Sequence, residues 1–160
     1  MAEPGLEVIE RLTKSLRDAG IAFTRMHHEP VHTSAEAAAV RGTSLHSGAK
    51  ALILKVGESF VMAVMPADLA LDSVALRKLL GCRKSRFAGK EELFERTGLT
   101  PGSVPPFGSL FNLPTICDGH LADNETINFN AGSHSDSIQM AYNDYIAYES
   151  PRIADITRPA

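Results

Sequence analysis

The chain has 160 residues, 44% of them hydrophobic and 22% charged, with a formal net charge of −3. That length and balance fit a single domain across residues 1–160 and exclude intrinsic disorder, and the net negative charge argues against a generic nucleic-acid coat. No apolar run approaches the roughly 20 residues that span a bilayer, and the start carries neither a basic n-region nor an apolar h-region, so a cytoplasmic protein with no membrane association is expected.

From Leu6 to Leu16 the apolar residues fall near helical spacing and Gly20 supplies a stop, which predicts an amphipathic first helix. Ile21 to Met26 reads as a short strand. Thr33-Ser-Ala-Glu36 ahead of an alanine run is a capping box that opens a second helix ending near Gly42. Ala51–Leu54 and Phe60–Met65 are apolar runs separated by Gly57-Glu58-Ser59, the pattern of a buried hairpin at the centre of a sheet. Helices are predicted at Ser73–Leu80 and Lys90–Thr97, and strands around Thr115–Cys117, Thr126–Asn130 and Ile138–Ala141. Residues 143–149 satisfy neither the helical nor the strand period and are compatible with both. The expected fold class is α/β in the mixed, α+β sense: a largely antiparallel central sheet flanked by helices.

Residues 98–108 read Gly-Leu-Thr-Pro-Gly-Ser-Val-Pro-Pro-Phe-Gly, with three glycines and three prolines in eleven positions. Proline removes its own donor and locks φ while glycine permits left-handed turns, so the remaining amides can be aimed at an anion or a carbonyl oxygen; a rigid surface connection is the competing reading. Lys50 precedes a central strand, where it can reach a phosphate, a carboxylate or a reacting carbonyl, or else snorkel from the strand end. Arg77, Lys78, Arg83, Lys84, Arg86 and Lys90 stand together with no acid among them, which suits a phosphate backbone or an ordinary solvated surface.

Cys82 and Cys117 lack metal-ligand spacing, and Pro30 keeps His28 and His32 from sharing a helix face, so neither a metal nor another cofactor is expected. There is no Gly-x-Ser-x-Gly elbow, P-loop or His-Glu-x-x-His motif. Ser133, His134 and Asp136 lie too close along one segment to converge as a triad. Asn128 to Ser135 reads as a strand ending in a glycine turn, which either closes a small pocket or satisfies its own backbone.

Taken in order, Thr33-Ser-Ala-Glu36-Ala-Ala, Lys50-Ala-Leu-Ile-Leu, Gly98-x-x-x-Gly102-x-x-Pro105-Pro-Phe-Gly, Thr115-Ile-Cys-Asp118 and the later Gly-Ser motif resemble the YbaK/prolyl-tRNA synthetase-associated editing domain family. The likeness covers nearly the whole chain. It implies a trans-editing deacylase that hydrolyses the ester of mischarged tRNA carrying a small amino acid of the Ala, Cys, Ser or Thr class. It implies Lys50, Gly98, Gly102 and Pro105 as catalytic, with the loop backbone holding the ester and the terminal ribose hydroxyl helping to activate water. Gly132, Ser133, His134 and Asp118 are the expected substrate contacts, and Arg77, Lys78, Arg83, Lys84 and Arg86 the expected tRNA-backbone contacts beside the site. Prolyl-tRNA synthetase or an elongation factor is the implied delivery partner. Some relatives carry a His-Pro-Leu segment where this chain reads Gly132-Ser-His134-Ser, so no role for His134 follows from the resemblance. The alternative function is a non-catalytic module that binds tRNA, a nucleotide or a synthetase. Sequence-specific DNA binding is weaker, since no recognition helix or zinc module is visible.

Overall fold

Two strands, β2 (Ala49–Val56) and β3 (Ser59–Pro66), form a hairpin in which Lys50 stands opposite Met65 and Lys55 opposite Phe60. The computed structural model describes residues 4–160. The hairpin is the middle of a five-stranded sheet of order β5-β2-β3-β6-β9, completed by β5 (Ser85–Phe87), β6 (Thr115–Asp118) and β9 (Arg152–Ala154). Pairing is antiparallel from β5 through β2 to β3, and parallel from β3 through β6 to β9. Both faces of this sheet are covered, which is why β2 and β3 read as continuous apolar runs instead of alternating. Met62 and Val64 join one buried cluster, with Leu12, Phe107, Phe129 and Tyr145, while Val61, Ala63 and Met65 join a second with Leu76 and Ile156.

A second, wholly antiparallel sheet has the order β1-β8-β7, from β1 (Phe23–His27), β7 (Thr126–Asn130) and β8 (Asp136–Ala141). Helix α1 (Pro4–Asp18) buries Val8, Ile9, Leu12 and Leu16 in the first cluster, as its spacing predicts. A parallel bridge between Gly48 and Asn128 ties the start of β2 to the second sheet. A two-stranded pairing of β4 (Leu69–Leu71) with β10 (Thr157–Pro159) completes the strand pairings. The fold is therefore mixed α/β with antiparallel pairing predominating, as expected.

Local signals located several elements closely. Helix α2 (Ser34–Arg41) has the full capping box, with the Thr33 hydroxyl accepting from Glu36 N–H, and ends at Gly42. Helices α3 (Ser73–Leu80) and α4 (Lys90–Thr97) have their predicted bounds. The ambiguous segment is helix α5 (Tyr142–Glu149), decided by tertiary packing: Tyr145 is wholly buried and donates from its hydroxyl to the Pro106 carbonyl at 2.6 Å. No helix among the described residues is long and apolar enough to cross a membrane.

Candidate functional site

Where α2, the start of β2, the end of β7 and the 98–108 loop converge, they enclose a cavity of about 100 Å³. Its wall includes Thr33, Arg41, Lys50, Gly102, Asn130 and His134, and no aspartate or glutamate among the described residues lines it. The nearest acid on α2, Glu36, is spent on the helix cap, where it accepts from the N–H groups of His32 and Thr33 at 3.1 and 3.0 Å.

Lys50 enters because β2 starts one residue earlier, at Ala49, directly after Gly48. Its Nζ donates to the Leu69 carbonyl at 2.6 Å. Burial pulls this ammonium below its ordinary pKa, and the Asp68 carboxylate works against that pull. One of three ammonium protons is committed to Leu69, and two are left for a ligand.

The loop divides into two working parts. Gly102 has φ +86° and stands over the His134 ring, and its carbonyl accepts from Asn130 Nδ2 at 2.7 Å. Gly102 and Val104 both line the cavity, and neither N–H finds an acceptor among the described residues, whereas Ser103 N–H between them is bonded to the Thr100 carbonyl. Two unengaged amides in a cavity wall are the donors that a developing oxyanion needs. The later part is anchored in the core: Phe107 is fully buried edge-on against Phe129 and Tyr145, and Gly108 N–H donates to Thr115 Oγ1 at 3.0 Å.

His134 pairs Nδ1 with the Val31 carbonyl at 3.0 Å, which makes Nδ1 the protonated nitrogen, and its ring lies 5.2 Å from that of His32. Arg41, the last residue of α2, reaches Ser137 and Asn130 and holds no carboxylate among the described residues. Burial pushes its guanidinium down to about 10.

The structure thus brings Lys50, Gly102 and His134 together, and the other expected site residues lie outside the cavity wall. Gly98 caps α4, and Pro105 is buried with its carbonyl accepting from Phe107 N–H at 2.8 Å. Gly132 N–H donates to the Ser103 carbonyl at 2.8 Å, so it braces the loop from behind. Ser133 Oγ donates to Asp136 at 2.7 Å and accepts from Ser135 N–H at 3.0 Å, closing the turn on itself. Asp118 is fully buried and accepts from Ile156 N–H, His120 N–H and His120 Nδ1 at 2.9–3.0 Å, a structural commitment that leaves little for a ligand.

The expectation that the basic segment stands beside the site requires correction. Strand β5 pairs with Leu54–Val56 at the far end of β2, which puts Arg86 opposite Lys55. Five residues of strand at about 3.3 Å each separate that point from Lys50, roughly 17 Å. There Arg77, Arg83, Lys84, Arg86 and Lys55 line a shallower concavity of about 520 Å³, with Lys78 exposed on α3. Arg86 is held by Glu92 through bonds of 2.6 and 3.0 Å.

Arg41 and Asn130 were not singled out from the sequence. An arginine in the last turn of a short helix reads as a solvated residue complementing the helix dipole. The one available signal was its isolation as the only cation in an alanine-rich helix.

Residues 28–148 match the family model described as the aminoacyl-tRNA editing domain. The multifunctional Ser/Thr-tRNA deacylase ProXp-y of Escherichia coli (strain K12) is 31% identical over 156 residues, 94% of this chain and 93% of that protein. The prolyl-tRNA editing protein ProX of Acetoanaerobium sticklandii is 23% identical over 87% of this chain and 88% of its own. A solved structure of a candidate trans-editing enzyme for prolyl-tRNA synthetase superposes with a TM-score of 0.85 at 22% identity, covering 99% of each chain, which speaks to the fold. With a domain match over that span and a relative this similar along nearly its full length, the chain belongs to the aminoacyl-tRNA editing domain family.

Proposed function

We propose that this chain is a trans-editing deacylase that hydrolyses the ester between a small amino acid and the 3′ end of a mischarged tRNA, residues 1–160 acting as one editing domain in the cytoplasm. The observation that carries this reading is the small, acid-free cavity with Lys50 on one wall and the unengaged Gly102 and Val104 amides on another. At about 100 Å³ it is small beside the roughly 300–1,000 Å³ of pockets that enclose a drug-sized ligand, which suits a short side chain with the tRNA left outside. The similarity to a Ser/Thr-tRNA deacylase favours serine and threonine within the Ala, Cys, Ser and Thr class.

Water adds to the ester carbonyl carbon, and the carbonyl oxygen becomes an oxyanion facing the two loop amides. Collapse breaks the bond to the ribose oxygen, which leaves with one proton from the water and frees the amino acid as its acid. Lys50 orients the ester and adds positive charge where the oxyanion forms. Removing one such donor typically costs roughly 3 kcal/mol in the barrier. Prolyl-tRNA synthetase or an elongation factor is the candidate delivery partner.

The test is single-turnover deacylation of Ala-, Ser-, Cys-, Thr- and Pro-charged tRNAs by wild type and Lys50→Ala. Release of serine or threonine by wild type and its loss in the variant is the expected result. Bound tRNA with every ester intact would assign the chain to the non-catalytic binding modules.

A further inference from the structure

We propose that Arg41 is a positioning residue of the editing site, acting through Asn130 to hold the Gly102 turn over the cavity; this inference rests on the deacylase reading above. The side chain leaves the end of α2 and turns inward over the second sheet. Its Nε donates to Ser137 Oγ at 2.8 Å and its Nη2 to Asn130 Oδ1 at 2.8 Å. Asn130 Nδ2 in turn donates to the Gly102 carbonyl at 2.7 Å. A three-residue path therefore connects α2 to the left-handed glycine that, with Val104, lines the cavity and carries an unengaged amide.

The direction of this path is dictated by Arg41. A guanidinium donates and cannot accept, so the atom of Asn130 that meets it must be the carbonyl oxygen, and the amide nitrogen must face Gly102. An Asn130 amide turned the other way would set two donors against each other at Arg41 and two acceptors against each other at Gly102. The same logic runs the other way through Ser137. Its oxygen accepts from Arg41, leaving its proton for His28 Nε2 at 2.8 Å, and His28 Nδ1 then donates to the Glu29 carbonyl at 2.8 Å. The bonds from Arg41 to Asn130 and from Asn130 to Gly102 are both made in one amide orientation only.

A partly buried cation with no carboxylate partner among the described residues costs stability relative to an apolar side chain of the same size. What the arginine supplies in return is geometry: the planar fork fixes two acceptors at once, which a lysine cannot reproduce. Asn130 then has one rotamer, and the Gly102 carbonyl one donor, so the amides of Gly102 and Val104 keep one aim.

The test compares Arg41→Gln, Arg41→Lys, Asn130→Ala and Asn130→Asp in single-turnover deacylation, together with thermal midpoints and the backbone amide resonance of Gly102. A misplaced oxyanion donor lowers the chemical step, so Arg41→Gln is expected to reduce kcat by roughly tenfold to a hundredfold with KM for the charged tRNA little changed. Asn130→Ala combined with Arg41→Gln should cost no more than the worse single change, because both cut the same path. Asn130→Asp is the decisive variant: it keeps and strengthens the partner of Arg41 but offers the Gly102 carbonyl an acceptor, so kcat should fall while the midpoint holds or rises. Wild-type kcat in Arg41→Gln, full additivity of the pair, or wild-type kcat in Asn130→Asp overturns the inference. If the wild type releases no amino acid, the deacylase reading fails, and the clamp is then judged by the Gly102 resonance alone: shifted or broadened in Arg41→Gln supports it, unchanged overturns it.

Discussion

A Cβ placed on Gly102 would stand 3.1 Å from Cε1 of His134, and Gly102 has φ +86°, so this position disfavours a side chain on two independent grounds. His134 is itself fixed from below by the Val31 carbonyl, which leaves the ring little room to give. The loop and the β7–β8 turn are thus fitted to each other at the cavity mouth.

Gly102→Ala is therefore expected to lose about 1–3 kcal/mol of stability and, separately, a large part of kcat. Gly81→Ala is the matched control, because Gly81 has φ +67° at the end of α3 with nothing within 4 Å of its Cβ position. Both variants should lower the thermal midpoint, and only Gly102→Ala should lower kcat at saturating tRNA. Equal kcat in the two would mean that the Gly102 turn is structural alone.

His46 sits between two carboxylates, with Nδ1 2.8 Å from Asp68 and Nε2 3.0 Å from Asp123. The hydrogen bond to Asp68 is the larger cause that raises its pKa, with Asp123 adding to it. A raised folded-state value means that the imidazolium stabilises the fold fully below the unfolded value of about 6.5, and that this contribution is lost as pH rises through the folded value. The midpoint difference between wild type and His46→Gln should be widest near pH 5.5 and narrow toward about pH 9. His120, raised in the same direction by Asp118, is present in both proteins and cancels. A difference that stays constant or grows with pH would exclude the pair of carboxylates as its source.

The basic concavity at the far end of β2 offers a separate prediction. Arg83 and Lys84 are exposed and hold no ion pair among the described residues, whereas Arg86 is taken by Glu92. Neutralising Arg83 and Lys84 together should reduce the slope of log affinity for tRNA against log salt by up to about 2, and Arg86→Gln by less. Because this surface lies roughly 17 Å along the strand from Lys50, kcat at saturating tRNA should hold. An unchanged slope removes the surface from the tRNA contact.

The elements that sequence reading located were those with local causes. Thr33 and Glu36 cap α2 reciprocally and Gly42 ends it, so the signal lies within ten residues. The β2–β3 hairpin announces itself because both faces of its sheet are buried. Strands β4, β5, β9 and β10 have three residues each, too few to show a period, and exist because a neighbouring strand offers them hydrogen bonds.

The candidate site divides in the same way. Lys50 at the head of a central strand, the unusual 98–108 loop and the glycine turn before His134 were legible from residue type and position, and the order of those motifs was enough to suggest the family. Their meeting in one cavity was not, and neither was the inward turn of Arg41 onto Asn130 across 89 positions of sequence. Nor did sequence proximity foretell that the basic segment would pair with the other end of β2. Capping, turn chemistry and hydrophobic period act over a few residues and are written in the chain itself. Which loops share a cavity depends on strand order and register, which are settled by burying both faces of the sheet at once, and only the folded structure expresses that condition.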